Sequence, residues 1–155
     1  LRHRGQTPHL RPGWWVPVLV LLGTAVALYL SFVEITQTEA VCGPVGHCNT
    51  VQQSAYARLF GLLPIGVLGV LGYGVIGLAW LAMSYGPSAW RRTSTVALWL
   101  LALVGTLFSL YLTFLEPFVI GASCVWCLSS AGIMALLLWL ATSGLNHQSG
   151  DLKLS

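Results

Sequence analysis

Four cysteines are the residues best placed to do chemistry: Cys42 and Cys48 in one group, Cys124 and Cys127 in another. Thiols exchange with disulfides and bind soft metals. The second group is a C-x-x-C, Cys124-Val125-Trp126-Cys127, at the start of an apolar stretch. On a helix, residues three apart share nearly one face. The first cysteine then lies beside unpaired N–H groups and the positive end of the helix dipole. That setting stabilises a thiolate and speeds exchange near neutral pH. So short a ring closes too little chain to act as a clamp, which favours a redox role. The other group, Cys42-Gly43-Pro44-Val45-Gly46-His47-Cys48, is rich in turn formers and reads as a mobile loop. A disulfide there can carry electrons between an external dithiol and an embedded one. The expected pairs are Cys42–Cys48 and Cys124–Cys127, with His47 a solvated loop residue. Four thiolates also make a zinc site, but only one pair has the short spacing of a zinc knuckle. No metal is expected.

The elements that position these residues follow from composition. The chain has 155 residues, 56% hydrophobic and 7% charged, against roughly 25% charged in a soluble domain. The mean hydropathy is +0.79. This excludes a cytosolic enzyme, a disordered tail and a small secreted scaffold, and leaves an integral membrane protein. About 20 apolar residues make a helical span. Four such stretches lie at 14–33, 64–83, 95–115 and 124–142. They are too continuous for barrel strands. The expected fold is an all-α four-transmembrane-helix bundle, with a tail at 1–13, a redox domain at 14–142, an outer loop at 35–63 and a second tail at 143–155.

Arg2, Arg4, Arg11, Arg91, Arg92 and Lys153 fall on one side of these spans, and Arg58 on the other. The positive-inside rule puts both termini in the cytoplasm and all four cysteines outside, across a plasma or inner membrane. The net charge of +3 then needs no nucleic-acid partner. The first apolar stretch is longer than the roughly 7–15 residues of a signal-peptide core.

That stretch is also repeated. Gly23-Thr-Ala-Val-Ala-Leu-Tyr-Leu-Ser-Phe-Val-Glu34 matches Gly105-Thr-Leu-Phe-Ser-Leu-Tyr-Leu-Thr-Phe-Leu-Glu116 at seven of twelve positions. The same offset carries Cys42 onto Cys124. The bundle therefore reads as two copies of helix, outer segment and helix in parallel orientation. Glu34 and Glu116 are expected to solvate the outer boundary rather than relay protons. After Cys48, Asn49 is a plausible N-cap for a short interfacial helix running to Gly61, with Ser54 facing the bundle.

Taken together, these residues resemble the vitamin K epoxide reductase family in its bacterial form. The resemblance rests on Cys42 to Cys48, on Asn49-x-Val51-x-x-Ser54-x-Tyr56-Ala57-x-x-Phe60-Gly61 with Pro64 beyond, on Gly69-x-x-x-Tyr73 and on the C-x-x-C. It spans about 14–142. It implies a four-helix bundle around a quinone, with the short helix as a lid. It also implies an electron path: a reduced thioredoxin-like protein attacks at Cys42, Cys48 passes electrons to Cys124, and Cys127 reacts with the quinone. Ser54 and Tyr56 match the family serine and the aromatic after it. Many bacterial members continue into a thioredoxin-like domain; here the chain ends soon after the fourth span, so a separate partner protein is expected. Vertebrate members carry a tyrosine where this chain has Ala131, which departs from the pattern for epoxide recognition.

Helical spacing adds Leu128 below Cys124 and Ala131 below Cys127 on the inner face, with Val51, Ser54 and Tyr56 closing the top of the pocket. Ubiquinone, menaquinone, phylloquinone or a vitamin K type would each suit. The expected activity is thus that of a protein-dithiol:quinone oxidoreductase supporting disulfide formation. The competing class is a four-helix transporter or scaffold with structural disulfides. The small residues Gly66, Gly69, Gly72, Gly74 and Gly77 suit close helix packing in either case. A related four-helix disulfide oxidase of another type places its C-x-x-C on an earlier helix.

Overall fold

The computed structural model describes residues 14–42, 47–52, 58–59 and 63–153. Four long helices dominate: α1 (Trp15–Thr36), α3 (Ile65–Tyr85), α4 (Ser88–Leu115) and α5 (Val125–Lys153). Between α1 and α3 lie a five-residue helix α2 (Cys48–Gln52) and two short strands, β1 (Arg58–Leu59) and β2 (Leu63–Pro64). The strands pair antiparallel, Arg58 with Pro64 and Leu59 with Leu63.

Each long helix is apolar enough to cross a membrane. Their outward faces carry large exposed apolar side chains such as Leu21, Leu78, Leu107, Phe114 and Trp139. Such a surface is stable only in lipid. The protein is an all-α membrane bundle.

The ends follow local chemistry. Gln37 takes a left-handed conformation (φ 54°) and closes α1. Gly86 and Pro87 separate α3 from α4, and a turn that tight makes them antiparallel neighbours. α4 starts earlier than expected, at Ser88 rather than 95, and so takes Arg91 and Arg92 into its first turns. It runs on into a π-helical turn, Glu116–Ile120, with Pro117 near its start. Gly121, with φ 72°, supplies the left-handed residue that ends it, and its N–H bonds the Glu116 carbonyl.

The segment after Cys48 differs from expectation. The described helix covers Cys48–Gln52 and residues 58–59 are extended, while the rest of the expected helix, 53–57 and 60–61, lies outside the described residues. Pro64 favours extended backbone before it. His47, not Asn49, precedes the helix, and its carbonyl accepts from the Thr50 and Val51 N–H groups. Asn49 lies inside, with its Oδ1 accepting from the Ala40 N–H at 2.6 Å.

α1 packs on α3 and α5, and α4 packs on the same two. The four form a ring with α1 and α4 on the diagonal. One buried cluster fills one end around Tyr73, Ile76, Leu98, Ala102 and Leu137. A second, around Val33, Ala40, Cys48, Val51, Ala122 and Cys124, closes the cysteine end. Glycines at matched positions of the repeat make room for the first cluster. A Cβ on Gly23 would overlap the Tyr73 ring, and Gly105 faces Met134.

Candidate functional site

The C-x-x-C lies where the sequence puts it, at the start of α5. Cys124 immediately precedes the helix, and its carbonyl accepts the Leu128 N–H at 3.0 Å. Cys124 and Cys127 are thiols, hydrogen-bonded side chain to side chain. Cys124 is fully buried and Cys127 partly so. Cys42 and Cys48 form a disulfide. Cys48 is fully buried in the same cluster as Cys124, whereas Cys42 keeps some exposure.

Backbone register holds pair against pair. The residue before Cys48 bonds the residue before Cys124: His47 N–H donates to the Ser123 carbonyl at 3.1 Å. The residue before Cys127 bonds the residue before Cys42: Trp126 Nε1 donates to the Val41 carbonyl at 3.0 Å. The Tyr29 hydroxyl accepts the Val41 N–H at 2.9 Å, and its ring packs on Trp126 with centroids 4.9 Å apart. Val41 is thus gripped on both sides, and Asn49 fixes Ala40 beside it. His47 is exposed, as expected of a loop histidine.

Below Cys127 a cavity of about 150 Å³ opens between the four long helices. Leu30, Gly69, Gly72, Phe108 and Leu112 give it apolar walls, and Val51 reaches it from α2. From α5 it takes Cys127, Ser130 and Met134. The expected Leu128 and Ala131 do not line it; Leu128 is 46% exposed. The stripe below Cys127 runs through the third and seventh residues on, since side chains lean back along the helix, and the fourth falls on its flank. Ser54 and Tyr56 lie outside the described residues.

Two residues expected at a solvated boundary are instead buried against this cavity. Glu34 is 4% exposed and Glu116 2%. Glu34 Oε2 accepts the Gly66 N–H at 2.9 Å, at the start of α3. Glu116 Oε2 accepts the Cys124 N–H at 2.9 Å, at the start of α5. Each carboxyl ends one helix of its repeat and receives an orphan N–H of the next, which is why both are drawn inward. The Glu116 carboxyl also stands against the Cys127 thiol. The one sign of this in the sequence is that the glutamate survives in both copies of the repeat.

The model of the vitamin K epoxide reductase family matches residues 14–142. The chain belongs to that family. The match takes in α1, α3 and α4, most of α5 and all four cysteines. A curated relative, the thiol-disulfide oxidoreductase LTO1 of Arabidopsis thaliana, is 28% identical over 126 residues. The aligned part is 77% of this chain but only 33% of the relative, so the chain spans about a third of the length of that protein. Family membership and the paired cysteines both support a thiol-redox site. Among the described residues no group of three or more His, Cys, Asp or Glu is placed to hold a metal ion.

Proposed function

We propose that the protein is a membrane thiol oxidoreductase that moves electrons from a thioredoxin-like partner, through Cys42–Cys48 and then Cys124–Cys127, to a quinone. The observation that carries this reading is the register of the two pairs. The buried sulfurs Cys48 and Cys124 share one cluster, the more exposed Cys42 is open to attack from outside, and Cys127 faces the cavity. A partner thiolate attacks Cys42, and the partner's second thiol resolves the mixed disulfide. The partner leaves oxidised and the loop pair reduced. Cys48 then attacks an oxidised Cys124, and Cys42 resolves that intermediate, so the loop disulfide re-forms and the C-x-x-C holds two electrons.

The cavity suits a quinone head. A cavity near 150 Å³ admits a benzene-sized ring. Its walls are apolar with a few polar points, Ser109, Ser130 and Glu116 among them. One oxygen of Glu116 is buried without a hydrogen-bond partner among the described residues, and a proton shared with a ligand oxygen would satisfy it. A bound quinone would supply a two-electron acceptor. Cys127 and Ser130 would hold its head, and Val51 would exclude water from above. The protein's part is to bring Cys127 to that acceptor in a dry site.

The arginine asymmetry supports cytoplasmic termini and an outward cysteine face, where a separate thioredoxin-like protein would dock and emerge with a new disulfide. The test uses purified protein in micelles with a reduced thioredoxin-like donor and a short-chain ubiquinone. Absorbance of the quinone should fall as donor thiols disappear, one quinone per dithiol. Cys127→Ala should abolish this. Undiminished turnover in that variant would sink the assignment.

A further inference from the structure

The path above uses the sulfurs and leaves two buried carboxyls without a task beyond capping helices. Glu34 and Glu116 line the cavity. Glu116 stands against Cys127 of the C-x-x-C. Capping the Cys124 N–H takes one oxygen, Oε2. Oε1 is buried with no hydrogen-bond partner among the described residues. An oxygen left so in an apolar site is costly to the fold. A serine or an asparagine would cap as well at less cost. The second oxygen therefore has a use that capping does not explain.

Quinone reduction supplies that use, because it consumes protons as well as electrons. Among the described residues, the groups bearing exchangeable protons around the cavity are Cys127, Glu34, Glu116, Tyr73 and Ser130, with hydroxyls at Ser109 and Thr113. Tyr73 Oη is engaged with Ser130, 2.9 Å from its Oγ. Hydroxyls hold their protons too tightly at neutral pH to serve as carriers. Glu34 is held at Gly66, at the start of a different helix. Among the described residues, Glu116 joins an oxygen without a hydrogen-bond partner to a place against a reacting thiol.

We propose that Glu116 is a catalytic residue that carries the thiol proton of Cys127 to the quinone oxygen. The proposal rests on the reading that this cavity takes a quinone. In each turnover two S–H bonds break and the Cys124–Cys127 bond forms. Two electrons and two protons pass to the quinone, which leaves as hydroquinone. The Glu116 carboxylate, which stands against the Cys127 thiol, accepts its proton as the thiol becomes thiolate, gives it to the quinone oxygen and is a carboxylate again. The Cys124 proton follows over the same carboxyl and completes the balance.

Glu116→Gln tests this, because an amide oxygen still caps the Cys124 N–H but cannot shuttle a proton. The variant should melt like the wild type and bind a short-chain ubiquinone with a Kd within about threefold. Its rate of quinone reduction should fall about 100-fold, the usual scale of general acid–base catalysis. Glu116→Asp should recover at least about tenfold of that loss, since it keeps the acid and shortens only the reach. A second readout needs no quinone. Infrared difference spectra, taken as a soluble oxidant closes the C-x-x-C, should contain a carboxyl C=O band that Glu116→Gln removes. A wild-type protein that reduces no quinone overturns the underlying reading. Wild-type turnover with Glu116→Gln within threefold of it, or spectra without that band, overturns the proposal alone.

Discussion

At the scale of single residues, the site depends as much on what grips the cysteine loop as on the sulfurs. Trp126 sits inside the C-x-x-C and donates to the residue before Cys42. It is a positioning residue, since it orients one pair against the other. Trp126→Phe keeps the ring against Tyr29 and loses only the donor. A hydrogen bond of this kind contributes about 0.5–1.5 kcal/mol net, so transfer from loop to C-x-x-C should slow by about two- to tenfold. Rapid quenching with a thiol alkylator, after a pulse of reduced donor, measures that step. A C-x-x-C reduced by a small phosphine should still pass electrons to quinone at the parental rate. If both steps slow together, Trp126 acts on the quinone site and not on the register. The repeat marks how special this contact is. Tyr111 occupies the place of Tyr29 in the second copy, yet it is 59% exposed and outside the site.

At the scale of elements, the repeated glutamates set the helix starts. Glu34→Ala leaves the Gly66 N–H without its acceptor, where Gly66 packs on the Ser31 backbone and water has little access. The loss should cost about 1–2 kcal/mol, read as a lower melting temperature in micelles, and Glu34→Gln should recover most of it. Gly23→Ala should cost about 1–3 kcal/mol by driving a methyl into the Tyr73 ring. The spans, the repeat and the C-x-x-C helix start were legible because each is a local pattern of residue types. The inward turn of the glutamates was not. A charged residue at the end of an apolar helix reads as solvated, and only packing reveals the orphan N–H that draws it in. The face of α5 failed for a related reason. One-turn spacing from Cys127 singles out Ala131, but the cavity lies along Ser130 and Met134. That choice depends on how α5 is rotated against α4, and no local pattern encodes it.

At the scale of the whole molecule, the two ends of the bundle differ in kind, and this predicts which side meets a partner. One end carries Arg91 and Arg92 in α4, with exposed Trp90 beside them and exposed Trp14 and Trp15 at the start of α1. Tryptophan marks a membrane interface on either side, and the arginines favour the cytoplasmic one. The other end holds the cysteines under a loop in which Thr38 is exposed. An oxidising compartment preserves a disulfide such as Cys42–Cys48, and the cytosol does not. Charge and redox chemistry, independent of each other, both favour the proposed orientation. With the native cysteines first blocked by a permeant alkylator and the new thiol kept accessible by reversible protection, Thr38→Cys should label with a membrane-impermeant maleimide in intact cells. Ser88→Cys, exposed at the opposite end, should label only after the membrane is opened. The reverse pattern would place the loop disulfide in a reducing compartment. It would remove the outward dithiol donor from the electron path, and with it the case for a protein that delivers disulfides outside the cell.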